Sequence, residues 1–121
     1  MINAREQVGN ALATVCDNVK MTRPEGDVTL PMICYAESGN APVNIAYDRI
    51  KWRVAVYAST FAELVDLVVQ ADAVMTDTLG YTRTGKSSHD SARVGTDLYL
   101  CRLDYVGVVN TRTLTIVKNA T

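Results

Sequence analysis

The sequence predicts an α+β domain: an antiparallel or mixed β-sheet of about four strands with two helices packed on one face. Three observations predict this class. Apolar residues alternate with more polar ones from Ile50 to Tyr57, an amphipathic helical pattern follows at once, and short turns separate the other strand patterns. The predicted order of elements is α-β-β-α-β-β, so neighbouring strands are expected to pair antiparallel.

The central strand and the helix after it have the strongest local signals. One face of the strand is expected to be buried: Ile50, Trp52, Val54 and Val56. Thr60 and Glu63 have the spacing of a capping box, in which each side chain accepts a backbone N–H. Gly80 suits the left-handed position beyond the helix end. The apolar stripe of the helix comprises Leu64, Leu67, Val68, Ala71, Val74 and Met75. We expect this stripe and the buried strand face to cover each other.

The first third of the chain predicts a helix and a strand. Residues 2–20 carry one helical apolar stripe, in which Gly9 marks either close packing or a tolerated surface glycine. Val28–Tyr35 has the pattern of a short strand. Pro31 cannot donate to a strand ladder, so this strand is expected at a sheet edge, or Pro31 at the strand start. Ala36–Pro42 is rich in turn residues, and the turn is predicted there.

The last third predicts further strands around a polar segment. Tyr81–Thr84 is a possible short strand, and Gly85–Thr96 is a polar loop long enough to be functional or mobile. Asp97–Val109 reads as a long strand and Thr113–Val117 as the final one. Residues 118–121 are a short tail. No repeat or linker divides the chain, so residues 1–121 are predicted to form one domain.

Composition bounds the possible functions. With 121 residues, 48% hydrophobic content and a net charge of −1, the chain can bury a core and shows no block of basic residues suited to nucleic acid. A local basic patch can still hide within a neutral total. Cys16, Cys34 and Cys101 sit in apolar patterns, which favours reduced, buried thiols. The apolar runs are too short to span a membrane, and the start lacks a signal-peptide pattern, so a cytosolic origin is expected.

Two motifs suggest chemistry, and neither has the right context. His89 and Asp90 adjoin serines, but adjacent residues in a polar loop seldom provide triad geometry. Gly80–Ser87 matches the phosphate-loop spacing formally, yet it follows a helix and precedes polar chain, whereas a real site lies between a strand and a helix. The acidic residues are dispersed. We therefore predict no enzyme activity, with no catalytic, cofactor-binding or metal-binding residues.

Two stretches resemble a known family. Leu30–Glu37 precedes a Gly/Asn/Pro turn, and Ile50–Tyr57 precedes a helix that closes in Leu79–Arg83. Together with the later strand Leu98–Tyr105, they resemble the tail terminator, or tail-to-head joining, proteins of long-tailed bacteriophages. The likeness covers about residues 1–110. Its motifs are structural, since the family offers no catalytic signature to compare.

The resemblance implies a structural virion protein, assembled in the host cytoplasm. Its subunits would form a ring, usually a hexamer, which caps the tail tube, stops tail polymerisation and docks to head connector or adaptor proteins. DNA would pass through the lumen without sequence-specific binding. On this reading the predicted partner contacts are Lys86, His89, Asp90 and Arg93. The alternatives are another phage component, such as a head-completion or tail-tube protein, and a small ferredoxin-like binding module. Six tyrosines fit either an interface or ordinary strand positions.

Overall fold

A computed structural model describes residues 4–21, 30–87, 90–91, 99–110 and 116–117, with the backbone alone for 90–91 and 116–117. The helices are α1 (Ala4–Leu12) and α2 (Phe61–Ala73), and α2 continues as one π-helical turn over Val74–Thr78. The strands are β1 (Val19–Lys20), β2 (Met32–Pro42), β3 (Tyr47–Ala58), β4 (Thr82–Lys86), β5 (Asp90–Ser91), β6 (Tyr99–Asn110) and β7 (Ile116–Val117).

The strands form one mixed sheet in the order β1-β2-β3-β6-β4, with β5 and β7 also paired to β6. β3 lies between β2 and β6 and pairs antiparallel with both along its whole length. β1 pairs parallel with β2, which makes the sheet mixed. The α+β class is confirmed, although the described residues contain seven strands, more than the predicted four.

Both helices pack against the same face of the sheet. One continuous cluster joins residues of α1, α2 and the inward face of β3 and β6. Trp52 lies at its centre, fully buried, with Tyr35 and Tyr81 rings on either side at centroid distances of 6.1 and 6.5 Å. The predicted core residues all belong to this cluster: Ile50, Trp52, Val54, Val56, Leu64, Leu67, Val68, Ala71 and Met75. Val74, in the predicted helix stripe, is half-buried.

The first helix is shorter than predicted. It ends at Leu12 instead of residue 20, where the Cys16 N–H donates to the Leu12 carbonyl and the Thr14 hydroxyl donates to Ala11. Val19 then pairs with Ile33 in β1. The apolar residues beyond Leu12 fit a helical pattern. The backbone of Val19 and Lys20 instead forms hydrogen bonds with β2, and this tertiary pairing overrides the local helix preference.

The turn between β2 and β3 lies later than predicted. Ala36–Pro42 belongs to β2, and the chain reverses over residues 43–46. Asn44 makes this turn, because its Oδ1 accepts the N–H groups of Ala46 and Tyr47 at 2.8 and 3.0 Å. Gly39, within the segment predicted as a turn, instead follows a bulge in β2. A Cβ added there would meet the Lys51 side chain at 3.5 Å, an ordinary contact.

Local signals at both ends of α2 correspond to real caps. Thr60 Oγ1 accepts the N–H of Glu63 at 3.2 Å, while the Glu63 carboxylate accepts from Ser59 at 3.4 Å. After the π-helical turn, Gly80 adopts φ 84°, the left-handed conformation in which a side chain would be strained. β2 starts directly after Pro31, as the missing N–H requires.

Part of the predicted polar loop belongs to the sheet. Gly85 and Lys86 are the last residues of β4, because they pair with Asp104 and Leu103 of β6. The Ser87 hydroxyl then accepts the Arg102 N–H at 2.8 Å. Asp90 and Ser91 add two more paired residues. The prediction of mobility over 92–96 falls outside the described residues, as does the tail 118–121.

Gly9 packs closely against a sheet residue. A Cβ added there would lie 2.5 Å from the Tyr35 hydroxyl, which donates to the Arg5 carbonyl at 3.4 Å. Gly9→Ala should therefore lower the free energy of unfolding by about 1 kcal/mol, although alanine is the better helix former by a similar amount. In a Tyr35→Phe background the oxygen is gone and the nearest ring carbon lies 3.2 Å from the added Cβ, so the same change should cost clearly less. Urea unfolding of wild type, the two single variants and the double variant measures the difference; equal effects in the two backgrounds would contradict this packing.

Candidate assembly surfaces

The predicted partner contacts are only partly described. Lys86 lies exposed at the end of β4, and the Asp90 backbone pairs with Leu100. His89 and Arg93 fall outside the described residues. The described part of the chain presents three other surfaces with clear physical character, and none of them was singled out from the sequence.

The first surface is the face of the sheet opposite the helices, here called the open face. On β3, Trp52, Val54 and Val56 point to the core, so Lys51, Arg53 and Ala55 point away. Cross-strand register assigns the neighbouring strands, because residues directly opposite share a face. Five basic side chains lie on the open face: Lys20, Arg49, Lys51, Arg53 and Arg102. Among the side chains described there, Asp104 is the single acid, bound to Arg53 at 3.1 Å.

Apolar groups are interleaved with these charges. A depression of about 260 Å³ on the open face is lined by Cys34, Ala36, Arg53, Ala55, Tyr57 and Arg102, together with Tyr35. Burial raises the pKa of the Cys34 thiol, and Lys20 opposes the shift only in part. Cys34 is therefore a neutral thiol on the floor of this face. All three cysteines are buried and unbridged, as their apolar settings predicted.

The second surface lies on the far side of the helix layer and is acidic. The residues of α2 and its π-helical turn that point away from the core are here called the outer stripe: Ala62, Asp66, Val69, Gln70, Ala73 and Asp77. Val69 is 63% exposed, and neighbouring Phe61 is 52% exposed while its ring stacks edge-on with Tyr99. No lysine or arginine occurs between Arg53 and Arg83. The negative charges of this stripe therefore have no basic neighbour on their own helix.

The third surface is the tip of the β2–β3 hairpin. Three apolar residues project there within one turn: Val43 is 49% exposed, Ile45 99% and Tyr47 39%. The tip is held rigidly, since Asn44 caps the turn and Val43 N–H donates to the Tyr47 carbonyl at 2.9 Å. Clustered apolar side chains held in water by a fixed turn are typical of a contact with another protein.

One polar group inside the fold ties the helix layer to the sheet. Asp72 of α2 accepts from the Tyr105 hydroxyl at 2.8 Å and from Arg83 at 3.2 Å. Burial, and then the neighbouring carboxylate, raise the pKa of Tyr105 far above its usual range. Burial also raises the pKa of Tyr81 to about 12, an effect that Trp52 offsets in part. These groups stay neutral at physiological pH and hold structure together.

Two kinds of chemical site can be checked in the described residues. These residues contain no group of three or more His, Cys, Asp or Glu side chains placed to hold a metal ion. Gly80–Ser87, the formal phosphate-loop match, leaves a helical turn and enters edge strand β4, so it lacks the strand-to-helix geometry that cradles phosphate. No helix in the described ranges is both long and apolar enough to cross a bilayer.

Comparison with known proteins adds no family. No protein-family model matches the chain, and no curated protein matches it. The three surfaces, and the resemblance of the sequence segments described above, are the observations that bear on function.

A signal for two of these surfaces was present in the sequence. The alternation that buries Trp52 also places Lys51 and Arg53 together on the other face. Every charged residue between Arg53 and Arg83 is an acid. Counting charge separately for each face, instead of for the whole chain, would have found the separation. The hairpin tip could not be found this way, because the sequence predicts the turn over Ala36–Pro42 and the chain reverses over residues 43–46.

Proposed function

We propose that this chain is a structural protein of a bacteriophage tail. It assembles as a ring on the end of the tail tube, stops tube polymerisation and joins the tail to the head connector. Its partners are further copies of itself, the tail-tube protein and the connector or adaptor proteins, and DNA passes through the lumen without sequence-specific binding. The mechanism is geometric: one contact repeats around a closed rotation, and the two rims of the ring match two different partners.

The exposed apolar tip of the β2–β3 hairpin carries this proposal. Ile45 is 99% exposed on a turn that two side-chain hydrogen bonds hold in place, an arrangement that costs solubility and adds nothing to the core. The α+β architecture, with both helices on one face of the sheet, is the one that the resemblance implies. This agreement supports the proposal.

Electron microscopy of the purified chain, alone and mixed with tails that lack their terminator, tests the proposal. Rings roughly 60–100 Å wide are expected from about six domains of radius ~13–15 Å placed side by side. Ile45→Asp should leave the fold intact and abolish capping, whereas Asn10→Asp, on the exposed side of α1, should cap normally. Long tubes would instead indicate a tail-tube protein. Monomers that do not bind tails would indicate a binding module and contradict the proposal.

A further inference from the structure

The two charged surfaces lie on opposite sides of the molecule. The open face belongs to the sheet, and the outer stripe belongs to the helix layer that covers the other side of that sheet. The net charge of −1 does not show this separation, because it sums the charges of both signs over the whole chain. The chain therefore carries both halves of a charge-complementary contact.

We infer that the open face of one copy binds the outer stripe of α2 in the next copy. This contact is heterologous, so it leaves one face of each end copy available and repeats head to tail. It rests on the self-assembly proposed above and names the surfaces that perform it. The small rotation between successive copies determines whether the series closes as a ring.

The charges on the two surfaces are opposite in sign and exposed on both sides. Lys51 and Arg102 are exposed on adjacent central strands, within reach of an approaching helix. Asp66 and Asp77 lie on one side of α2 and its π-helical turn, where Gln70 is bonded to Asp66 at 3.0 Å. Opposite potentials of this kind steer association and fix the register between partners.

The apolar groups on the two surfaces are matched as well. The outer stripe offers Val69 and, at its start, Phe61, both more than half exposed. The open face offers the depression beside Ala55, together with half-buried Val106 and Val108 between its charges. A helix laid across the sheet would bury apolar area on both sides while its acids meet the surrounding bases.

These observations favour a second copy over a nucleic acid as the occupant of the open face. A nucleic acid would use the basic residues but would leave the apolar part of the outer stripe without a role. Arg53 is already bound to Asp104, which removes one cation from any phosphate track. The chain as a whole is weakly negative, so it has no long-range attraction for a polyanion.

Two charge-reversal variants test the contact. Lys51→Glu/Arg102→Glu puts two acids on the open face, where they would meet the acids of the outer stripe. Asp66→Lys/Asp77→Lys makes the outer stripe basic, so it would meet the bases of the open face. Each variant alone should associate about 100-fold more weakly than wild type, since like charges would face each other across the contact. An equimolar mixture should regain association, with the two variants alternating. Asp17→Lys, an exposed change on neither surface, is the matched control and should associate as wild type.

Sedimentation velocity on the intact chains measures these outcomes, and the recovery in the mixture shows that both variants are folded. Association of each variant at the wild-type level, no recovery on mixing, or a wild type that stays monomeric up to about 1 mM would overturn the inference, since weak specific contacts lie in that range. Micromolar binding of duplex DNA that only the sheet variant loses, with self-association unchanged, would assign the open face to nucleic acid and overturn it too.

The same experiment separates this contact from the proposed function. Rings that persist in both variants would overturn the face-to-helix contact and leave a ring-forming tail cap in place. Association that needs both surfaces but produces only open filaments would support the contact and contradict the ring.

Discussion

Trp52→Ala should unfold this protein at temperatures where the wild type is stable. Trp52 is fully buried between the Tyr35 and Tyr81 rings, and it lies where β3 meets the helix layer. Truncating such a side chain leaves a large cavity and costs about 3–5 kcal/mol. Domains of this size are stable by only about 5–15 kcal/mol, so the melting temperature should fall by roughly 10–20 °C.

Far-ultraviolet circular dichroism measures this melting, because Trp52 is the single tryptophan and the variant loses the fluorescence signal. Lys51→Ala is the matched control: it is the next residue along β3, exposed on the open face, and should change stability by no more than about 0.5 kcal/mol. Trp52→Phe keeps an aromatic ring beside Tyr35 and Tyr81. It should lose much less stability than alanine. Equal melting of Trp52→Ala and wild type would contradict this core.

Asp72→Ala should produce the second large loss, about 2–3 kcal/mol of unfolding free energy. The substitution removes the acceptor of the buried Tyr105 hydroxyl, which then has no partner described in the fold. The Arg83 ion pair adds little to this loss, because both of its partners are partly exposed to solvent. Asp66→Ala, on the exposed side of the same helix, should change stability by about 0.5 kcal/mol or less.

A double-mutant cycle isolates the hydrogen bond. Tyr105→Phe removes the donor, so Asp72→Ala in that background leaves no buried hydroxyl without an acceptor. The loss of unfolding free energy should then be about 1–2 kcal/mol smaller than in the wild type. Chemical denaturation of the four proteins gives the coupling. Strict additivity of the two single changes would show that the Asp72–Tyr105 bond does not stabilise the fold.

The parts of the fold that local pattern predicts are those in which local and tertiary preferences agree. From Ile50 to Gly80, strand alternation, capping box, helical spacing and terminal glycine all indicate one arrangement, and the structure has it. The residues after Leu12 behave differently. Their apolar pattern fits a helix, but Val19 forms part of a parallel pair with β2, and no local signal reports that pairing.

The turn before β3 lies later than the sequence predicts, and strand pairing is again the reason. Asn40 and Asn44 have the same intrinsic turn preference, so sequence cannot choose between them. The ladder between β2 and β3 continues as far as Pro42 and Asp48, and this pairing leaves the reversal to Asn44. Assembly surfaces are harder still to predict, because the strand register is needed to show that Lys20, Arg49 and Arg102 share one face of the sheet.

The mass of the assembled chain tests the central claim, that this protein works by contact between its own copies. Multi-angle light scattering of the intact chain, with rising concentration and with terminator-deficient tails added, measures it directly. We predict a discrete step from the 13.2 kDa monomer to about six times that mass, either in solution or on the tail end. A monomer mass under every condition, with no chain bound to tails, would contradict the account.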